Sequence, residues 1–251
     1  MAGRRGSFLN LVGRLLASPN PPSSTGNLRI LQTWRKANVT TYRRMKHRIR
    51  QRGGQERSLG FWVIRRLRKR DAVPLLETFL KTDSDFAWDA ALTLSAVGGR
   101  AAFVLLTDCA LGGRGDALRE AAIYALATTG NARNAEMFAT TLADTRVSAQ
   151  VRAHCAEGLA SALSGVDRRT RRFKHAIKAL RKALHGDASV VQLYAAYSLG
   201  ELRVASAVPE LAVLAKSGSL ESHAGFSVKD EALDAIQRIM ERKHKGATQR
   251  R

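Results

Sequence analysis

One short pattern recurs along the 251-residue chain and constrains its fold more than any other feature. In residues 118–130, Leu126 follows a small residue four positions earlier, Ala122, and a long polar residue seven positions earlier, Arg119. The same spacing of a small residue before a large apolar anchor recurs at Leu94, Leu159, Leu199 and Ile236, so that successive anchors are 32, 33, 40 and 37 residues apart. A period of this length built from helices is typical of stacked repeats and not of a globular enzyme core. The sequence therefore predicts an α-solenoid.

Each repeat is expected to contain two helices. A small residue one turn before the anchor lets a neighbouring helix approach closely, while the anchor fills the space between the layers. A glycine or polar turn follows each anchor, and a second apolar helix begins after it. The predicted second helices start at Asp71, Ala101, Asn134 and Ser206. Pro74 and Pro209 lie near two of these starts, where a first helical turn tolerates a missing amide hydrogen.

Residues 194–200 contain Tyr-Ala-Ala-Tyr-Ser-Leu-Gly, and residues 207–211 contain Ala-Val-Pro-Glu-Leu. This succession resembles the HEAT-repeat family, especially the bilin-lyase-type HEAT-like repeats, in which Arg-x-x-Ala-x-x-x-Leu-Gly precedes Ala-Val-Pro-x-Leu. The resemblance covers about residues 57–242 and implies an all-α solenoid of about five to six HEAT-like helix pairs. Because such repeats serve as scaffolds, adaptors, nucleic-acid binders and a few enzymes, the resemblance leaves the function open.

The positive charge of the chain is concentrated at its two ends. The formal net charge is +21, and residues 1–70 hold 18 lysines and arginines against one acidic residue, Glu56. Residues 71–164 hold 7 basic residues against 11 acidic ones, whereas residues 165–251 hold 17 against 9. Like charges in this arrangement repel one another and attract anions. We therefore expect an anionic macromolecular partner.

Four segments are predicted along the chain. Residues 1–26 form a basic amphipathic arm followed by a Pro/Ser linker, and the arm is too short to span a bilayer. Residues 27–56 form a basic capping helix, an N-terminal extension that shields the first repeat. Residues 57–243 form the solenoid, and residues 244–251 form a basic tail that we expect to be disordered. A cytoplasmic location is expected, and the alternative is an organelle matrix reached through the arm, which resembles a transit peptide.

The candidate binding residues form two groups of basic side chains. The first group lies within residues 43–69, in the basic N-terminal region. The second group lies on a helix predicted for residues 166–186, with Asp167 as its cap and a buried stripe of Phe173, Ile177, Leu180 and Leu184. In proteins similar to this one, second helices line the concave surface, so this helix would turn a basic face into the groove. The alternative for both groups is a solvated surface without a ligand. The candidates are Arg43, Arg44, Lys46, Arg48, Arg65, Arg66, Arg68, Lys69, Arg168, Arg169, Arg171, Arg172, Lys174, Lys178, Arg181 and Lys182.

No catalytic or metal-binding motif stands out. The six histidines are scattered without ligand spacing, and the repeated His-Glu dipeptides of HEAT-like di-iron hydroxylases are absent. Cys109 and Cys155 are expected to be buried free thiols. A HEAT-like DNA glycosylase would need a catalytic acid beside an aromatic residue in a groove. Of its two candidates, Asp85 lies at a helix start and Asp89 should face away from the adjacent Trp88.

The long polar residues of the repeat, Arg119 and Arg152, are predicted to form a structural ladder with acidic turn residues such as Asp116. Because the sequence shows no catalytic or metal-binding motif, we expect no enzymatic activity, no cofactor, no metal and no small-molecule substrate.

The leading hypothesis is a non-enzymatic scaffold that holds a nucleic-acid backbone, either directly or within a ribonucleoprotein. Few exposed aromatic residues are evident for base stacking, so sequence-specific reading of single strands is not expected. The first alternative is a protein–protein adaptor that binds an acidic protein segment. The second alternative is the glycosylase-like enzyme.

Overall fold

The structure of the protein is a computed structural model. It describes residues 61, 64–65, 70–82, 86–112, 115–186, 188–217, 222–223 and 226–248. The predicted arm, linker and capping helix, residues 1–56, lie outside the described residues. Two compact units divide the chain at the junction of Ala102 and Phe103, within the segment for which the sequence predicts one solenoid.

The described residues contain ten α-helices and one short antiparallel pair of strands. The helices are α1 (Val73–Thr82), α2 (Ala87–Val97), α3 (Arg100–Leu111), α4 (Asp116–Ala127), α5 (Ala135–Ala143), α6 (Ala149–Ala162), α7 (Arg171–Ala183), α8 (Ser189–Glu201), α9 (Val208–Ser217) and α10 (Val228–Thr248). Strands β1 (Ser222–His223) and β2 (Phe226–Ser227) precede α10. Short 3₁₀ turns at Arg70–Ala72, Ala132–Asn134 and Ala205–Ala207 lead into α1, α5 and α9. The predicted starts of second helices fall at these turns and at α3.

The first unit, residues 1–102, contains helices α1 and α2, which pack on each other. Its core includes Phe61, Leu76 and Leu94, all fully buried. The Phe61 ring meets the Phe79 ring edge to face, with 5.3 Å between the centroids. The anchor predicted at Leu94 is therefore confirmed as a core residue.

The second unit, residues 103–251, is a stack of helices in two layers. The first helices of successive repeats, α4, α6, α8 and α10, pack side by side, and the second helices α5 and α7 pack in the other layer. The anchors Leu126, Leu159 and Leu199 are at most 1% exposed. Ile236, the anchor predicted in α10, is only half-buried. Because α10 is the last described helix of the stack, no further first helix among the described residues covers that side of it.

Glycines directly beside the anchors, which are not the small residues of the predicted pattern, bring the first helices close together. A Cβ atom added at Gly200 of α8 would lie 2.8 Å from Ala235 Cα of α10. A Cβ atom at Gly158 of α6 would lie 2.8 Å from Ala127 Cβ of α4. A hydroxyl group also joins two neighbouring first helices, since Ser198 Oγ of α8 donates to the carbonyl oxygen of Ala156 of α6 across 2.6 Å. The fold is all-α, with HEAT-like helix pairs stacked as a solenoid in this unit.

In two repeats the residue seven positions before the anchor, Arg119 or Gln192, caps the helix before it. Arg119 Nε donates to the carbonyl oxygen of Ala110 at 3.0 Å, near the end of α3. Gln192 Nε2 donates to the carbonyl oxygens of Leu184 and Gly186, after the end of α7, at 3.2 and 2.6 Å. The last carbonyls of a helix have no partner within the helix, so these side chains satisfy them. The ladder predicted for Arg119 and Arg152 with acidic turn residues such as Asp116 is therefore wrong in its partners: Arg119 bonds to a carbonyl oxygen, and Arg152 Nε is buried without a hydrogen-bond partner among the described residues.

Two features near the C-terminus were not predicted. Ser227 begins α10, because its Oγ accepts a hydrogen bond from the amide of Asp230 and donates one to the Asp230 carboxylate. The helix continues to Thr248, five residues beyond the predicted end near Lys243. Residues 244–248 of the predicted basic tail are therefore helical, in contrast to the expected disorder.

Candidate anion-binding site

The structure describes the second group of predicted binding residues and one residue of the first. Arg65 lies in the first unit, where its Nη2 is 3.4 Å from Thr93 Oγ1 and 3.9 Å from Asp89 Oδ1. These contacts hold Arg65 against α2 and give the Asp89 carboxylate, the described candidate acid of a glycosylase, an ion-pair partner. Asp85 lies outside the described residues. The remaining residues of the first group also lie outside them: Arg43, Arg44, Lys46, Arg48, Arg66, Arg68 and Lys69.

Helix α7 carries the second group and begins later than the sequence predicts. Its N-cap is Thr170, whose Oγ accepts a hydrogen bond from the amide of Phe173. Asp167, the predicted cap, instead accepts a hydrogen bond from the amide of Arg169 in the preceding turn. The prediction of Asp167 as the cap was wrong, because its carboxylate bonds within the preceding turn. Thr170 instead has the extended backbone that places its hydroxyl group over the first turn of the helix. Arg168 and Arg169 therefore precede the helix.

The buried side of α7 packs the helix firmly into the second unit. Phe173, Leu180 and Leu184 are buried, as predicted, and Ala176 is buried beside them. Ile177 was expected in the same stripe but is half-buried, because it lines a groove beside the helix.

Two arginines of the predicted set, Arg168 and Arg181, form contacts within the fold. Arg168 Nη2 donates to the carbonyl oxygen of Leu202 at 2.7 Å, at the end of α8. Arg181 forms an ion pair with Glu210 of α9, and the hydrogen bond from Arg181 lowers the pKa of Glu210 against the opposing effect of burial. These two side chains tie α7 to the next repeat. Their guanidinium groups are already engaged and are weaker candidates for binding an external anion.

The other six predicted residues of this group are exposed, and none of their side chains has a hydrogen bond or ion pair among the described residues. No acidic residue occurs on α7 to offset them. We call this set the basic surface: Arg169, Arg171, Arg172, Lys174, Lys178 and Lys182. Because α7 is fixed by its apolar stripe and by Arg168 and Arg181, the helix presents these cations on a rigid support.

A groove of about 580 Å³ runs between α7 and the start of α9. Its apolar lining includes Ile177 and Val204, and the Arg181–Glu210 ion pair also lines it. Lys174, Lys178 and Lys182 add positive charge to the same groove, which His185 also lines. The arrangement attracts anions and offers a small apolar contact area beside them.

The described residues do not assemble recognisable catalytic chemistry. Cys109 and Cys155 are buried free thiols, as predicted, and burial raises the pKa of the Cys155 thiol. Within the described ranges, no group of three or more His, Cys, Asp or Glu residues is placed to hold a metal ion. Across those same ranges, no helix combines the length and the apolar character needed to cross a membrane.

The sequence interpretation missed a second surface, formed by first helices. Tyr124 of α4, His154 of α6 and Tyr194 of α8 lie side by side, with ring centroids 5.0 Å apart for the first pair and 6.5 Å for the second. Tyr124 lies two positions before its anchor, whereas His154 and Tyr194 lie five before theirs. Comparing the residues at these repeat positions, and not only the anchors, would have found this row.

No protein-family model and no curated protein matches the chain in sequence. An engineered protein of known structure is similar, with a TM-score of 0.50 and 18% identity over 80% of this chain and 97% of its own. Human deoxyhypusine hydroxylase, solved with glycerol, has a TM-score of 0.45 and 17% identity over 80% of this chain and 85% of its own. The Escherichia coli protein YIBA has a TM-score of 0.40 and 15% identity over 88% of this chain and 99% of its own. The likeness to the engineered protein supports the fold alone, which is a HEAT-like helical repeat.

Proposed function

We propose that the protein is a non-enzymatic scaffold of the HEAT-repeat family, with repeats of the bilin-lyase type, that holds a nucleic-acid backbone on the basic surface. The observation that carries this proposal is the set of six exposed lysines and arginines on and just before α7, whose side chains have no hydrogen bond or ion pair with another described residue. The proposed ligand is RNA or DNA, either free or within a ribonucleoprotein. The proposed compartment is the cytoplasm, or an organelle matrix if residues 1–26 act as a targeting segment.

The spacing of the cations suits a repeating polyanion. Lys174, Lys178 and Lys182 follow one another at four-residue intervals, which correspond to about 6 Å along a helix axis. A row of this kind meets several phosphates of one strand and releases their counterions on binding. Six such contacts would give a slope of about −5 for the logarithm of affinity against the logarithm of salt concentration.

The proposed recognition does not depend on base sequence. The basic surface contains no aromatic side chain on which a base would stack. Phosphate contacts from lysine and arginine fix the position of a nucleic acid without reading its bases. Duplex and hairpin ligands of random sequence are therefore expected to bind comparably.

An acidic protein segment is the alternative ligand, and the groove beside α7 favours it. Ile177 and Val204 would bury an apolar side chain of a peptide, while Lys178 and Lys182 would pair with its carboxylates. The protein would then act as an adaptor. The glycosylase-like alternative has less support, because Asp89 is engaged by Arg65.

The test compares two triple charge reversals in the full chain. K174E/K178E/K182E alters the basic surface, and R133E/R146E/K216E makes the same change in net charge at exposed positions outside α7. Binding to a random-sequence DNA duplex and to an RNA hairpin should be lost in the first variant and retained in the second. Equal binding by both variants would overturn the proposal. Loss of binding to an acidic peptide, with no nucleic-acid binding by the unaltered chain, would select the adaptor.

A further inference from the structure

One hydroxyl group lies among the arginines at the start of α7. Thr170 is the only serine or threonine of the chain whose two neighbours on each side are all arginines: Arg168, Arg169, Arg171 and Arg172. Thr170 and these four arginines are exposed. Residues 163–170 form the turns that connect α6 to α7, so the hydroxyl group lies where a surface loop meets a helix.

Three of these four arginines can receive an anion on their neighbour. Arg168 is engaged, because its Nη2 donates to the carbonyl oxygen of Leu202 and its Cζ lies 5.8 Å from the centroid of the Phe173 ring. The other three belong to the basic surface, and their side chains have no hydrogen bond or ion pair with another described residue. Hydrogen bonds between guanidinium and phosphate groups are among the strongest in proteins. A phosphate group on Thr170 would therefore find partners within its own segment.

The hydrogen bonds of Thr170 are compatible with such a phosphate. Its Oγ1 accepts from the amide of Phe173 at 3.3 Å and donates to the carbonyl oxygen of Asp167 at 2.7 Å. Esterification removes only the donated proton, and the new oxygens can accept from first-turn amides, which have no partner within the helix. Negative charge is also stabilised at the N-terminus of a helix. The cap of α7 can therefore be kept when the hydroxyl group carries a phosphate.

We infer that Thr170 is a phosphorylation site whose modification weakens nucleic-acid binding by the basic surface. The inference rests on the proposed function, because it concerns the regulation of that same surface. Kinases select their substrates by charge patterns, and arginines around a hydroxyl group form such a pattern. In the transfer from ATP, the bond between the γ-phosphorus and the β–γ bridging oxygen breaks and the bond from phosphorus to Thr170 Oγ1 forms. The hydroxyl proton passes to the catalytic base of the kinase, and ADP leaves.

The phosphate acts through its charge on the residues beside it. A phosphothreonine carries a charge of about −1.5 to −2 at neutral pH. It pairs with Arg169, Arg171 or Arg172 and so offsets up to two of the six cations of the basic surface. These cations are then no longer available to the phosphates of a bound strand. The slope of log affinity against log salt should become shallower by about 2, which corresponds to two lost contacts.

The first test uses two substitutions that keep the cap of α7. T170D and T170N place side chains of nearly equal size at the N-cap, and both residue types are good N-caps, but only T170D adds a negative charge. The control for net charge is Q150E, because Gln150 is exposed on α6 in the other layer. At a salt concentration of about 0.1 M, T170D should bind a random-sequence duplex about eightfold more weakly than T170N, which is the effect of one lost phosphate contact. Q150E should bind as the unaltered chain does.

The second test concerns the modification itself. The full chain is incubated with ATP, Mg²⁺ and an arginine-directed protein kinase, chosen because it phosphorylates a synthetic peptide of residues 164–176. Mass spectrometry locates the phosphoryl group, and T170A is the control without the acceptor. We expect the phosphate on Thr170 of the folded chain. The phosphorylated protein should bind the duplex more weakly than T170D does, because its charge is larger.

The outcomes separate this inference from the proposed function. If the unaltered chain binds the duplex, equal affinities of T170D and T170N would overturn the inference and leave the proposed function standing. An equal loss in Q150E would also overturn it, because the position of the charge would then not matter. No phosphate on Thr170 of the full chain, with the peptide modified, would overturn it as well. Absence of binding by the unaltered chain would contradict the proposed function, and the inference with it. Unfolding curves of each variant check that the fold is retained.

Discussion

Replacing Gln192 tests whether the long polar residue of the repeat stabilises the stack. Its amide donates two hydrogen bonds to carbonyl oxygens beyond the end of α7. A hydrogen bond contributes about 0.5–1.5 kcal/mol net, so Q192A should destabilise the fold by about 1–3 kcal/mol. Water can reach part of this half-buried site, which favours the lower half of that range.

The matched control is Q150A. Gln150 is also a glutamine at the start of a first helix, α6, but it is exposed and has no hydrogen bond among the described residues. An exposed substitution of this kind should change stability by less than about 0.5 kcal/mol. Q192E is a second variant of similar size, whose carboxylate faces the same carbonyl oxygens without donating to them. We expect Q192E to be less stable than Q192A.

The assay is equilibrium unfolding in urea followed by circular dichroism at 222 nm. A lower midpoint with an unchanged slope reports a change in stability without a change in the unfolded state. Equal midpoints for Q192A and Q150A would refute the capping role. A Q192E midpoint equal to that of the unaltered chain would show that only the size of the side chain matters.

Three further predictions concern a helix cap, an ion pair and a thiol. T170A should destabilise the protein by about 1 kcal/mol in urea unfolding through loss of the α7 cap, and an equal effect of D167A would contradict that assignment. The hydrogen bonds from Arg146 lower the pKa of Asp144 to about 2. Their stabilising effect is therefore fully present at pH values above the ordinary pKa of aspartate, and it is lost as the pH falls through about 2. R146A should return that pKa toward its ordinary value in an NMR titration, and an unchanged pKa would contradict the cause. Cys155 should resist a thiol reagent at pH 8 until the chain unfolds, because burial raises the pKa of its thiol and blocks access; rapid labelling of the native chain would contradict this.

The repeat architecture was predictable because it depends on the spacing between small and large residues that are close together in the sequence. Close helix packing needs a small residue at a fixed distance from a large one, and that need recurs in every repeat. The burial of Leu126, Leu159 and Leu199 follows directly from this pattern. The half-buried Ile236 departs from it because burial also depends on whether another helix covers the position, which the local pattern does not encode.

The details of α7 were harder to predict. Asp167 and Thr170 are both good N-cap residues three positions apart, and only the path of the preceding turn decides between them. The set of basic residues could be named from the sequence. The contacts that engage Arg168 and Arg181 within the fold could not be predicted. Their partners, Leu202 and Glu210, lie about 30 residues away and are brought close only by stacking.

The row of Tyr124, His154 and Tyr194 was not predicted from the sequence for a similar reason. Tyr124, His154 and Tyr194 are separated by 30 and 40 residues, and each is an ordinary residue on its own helix. They become a surface only when α4, α6 and α8 lie side by side. The expectation of few exposed aromatics followed from counting residues without placing them on adjacent first helices.

The salt dependence of nucleic-acid binding tests the central claim most directly. Affinities for a random-sequence duplex would be measured across a salt series for the unaltered chain, for K174Q/K178Q/K182Q and for the matched R133Q/R146Q/K216Q. Removing three phosphate contacts should make the slope of log affinity against log salt shallower by about 3 in the first variant and leave it unchanged in the second. Identical slopes for all three proteins, or no binding by the unaltered chain at low salt, would contradict the claim that the basic surface of α7 holds a nucleic-acid backbone.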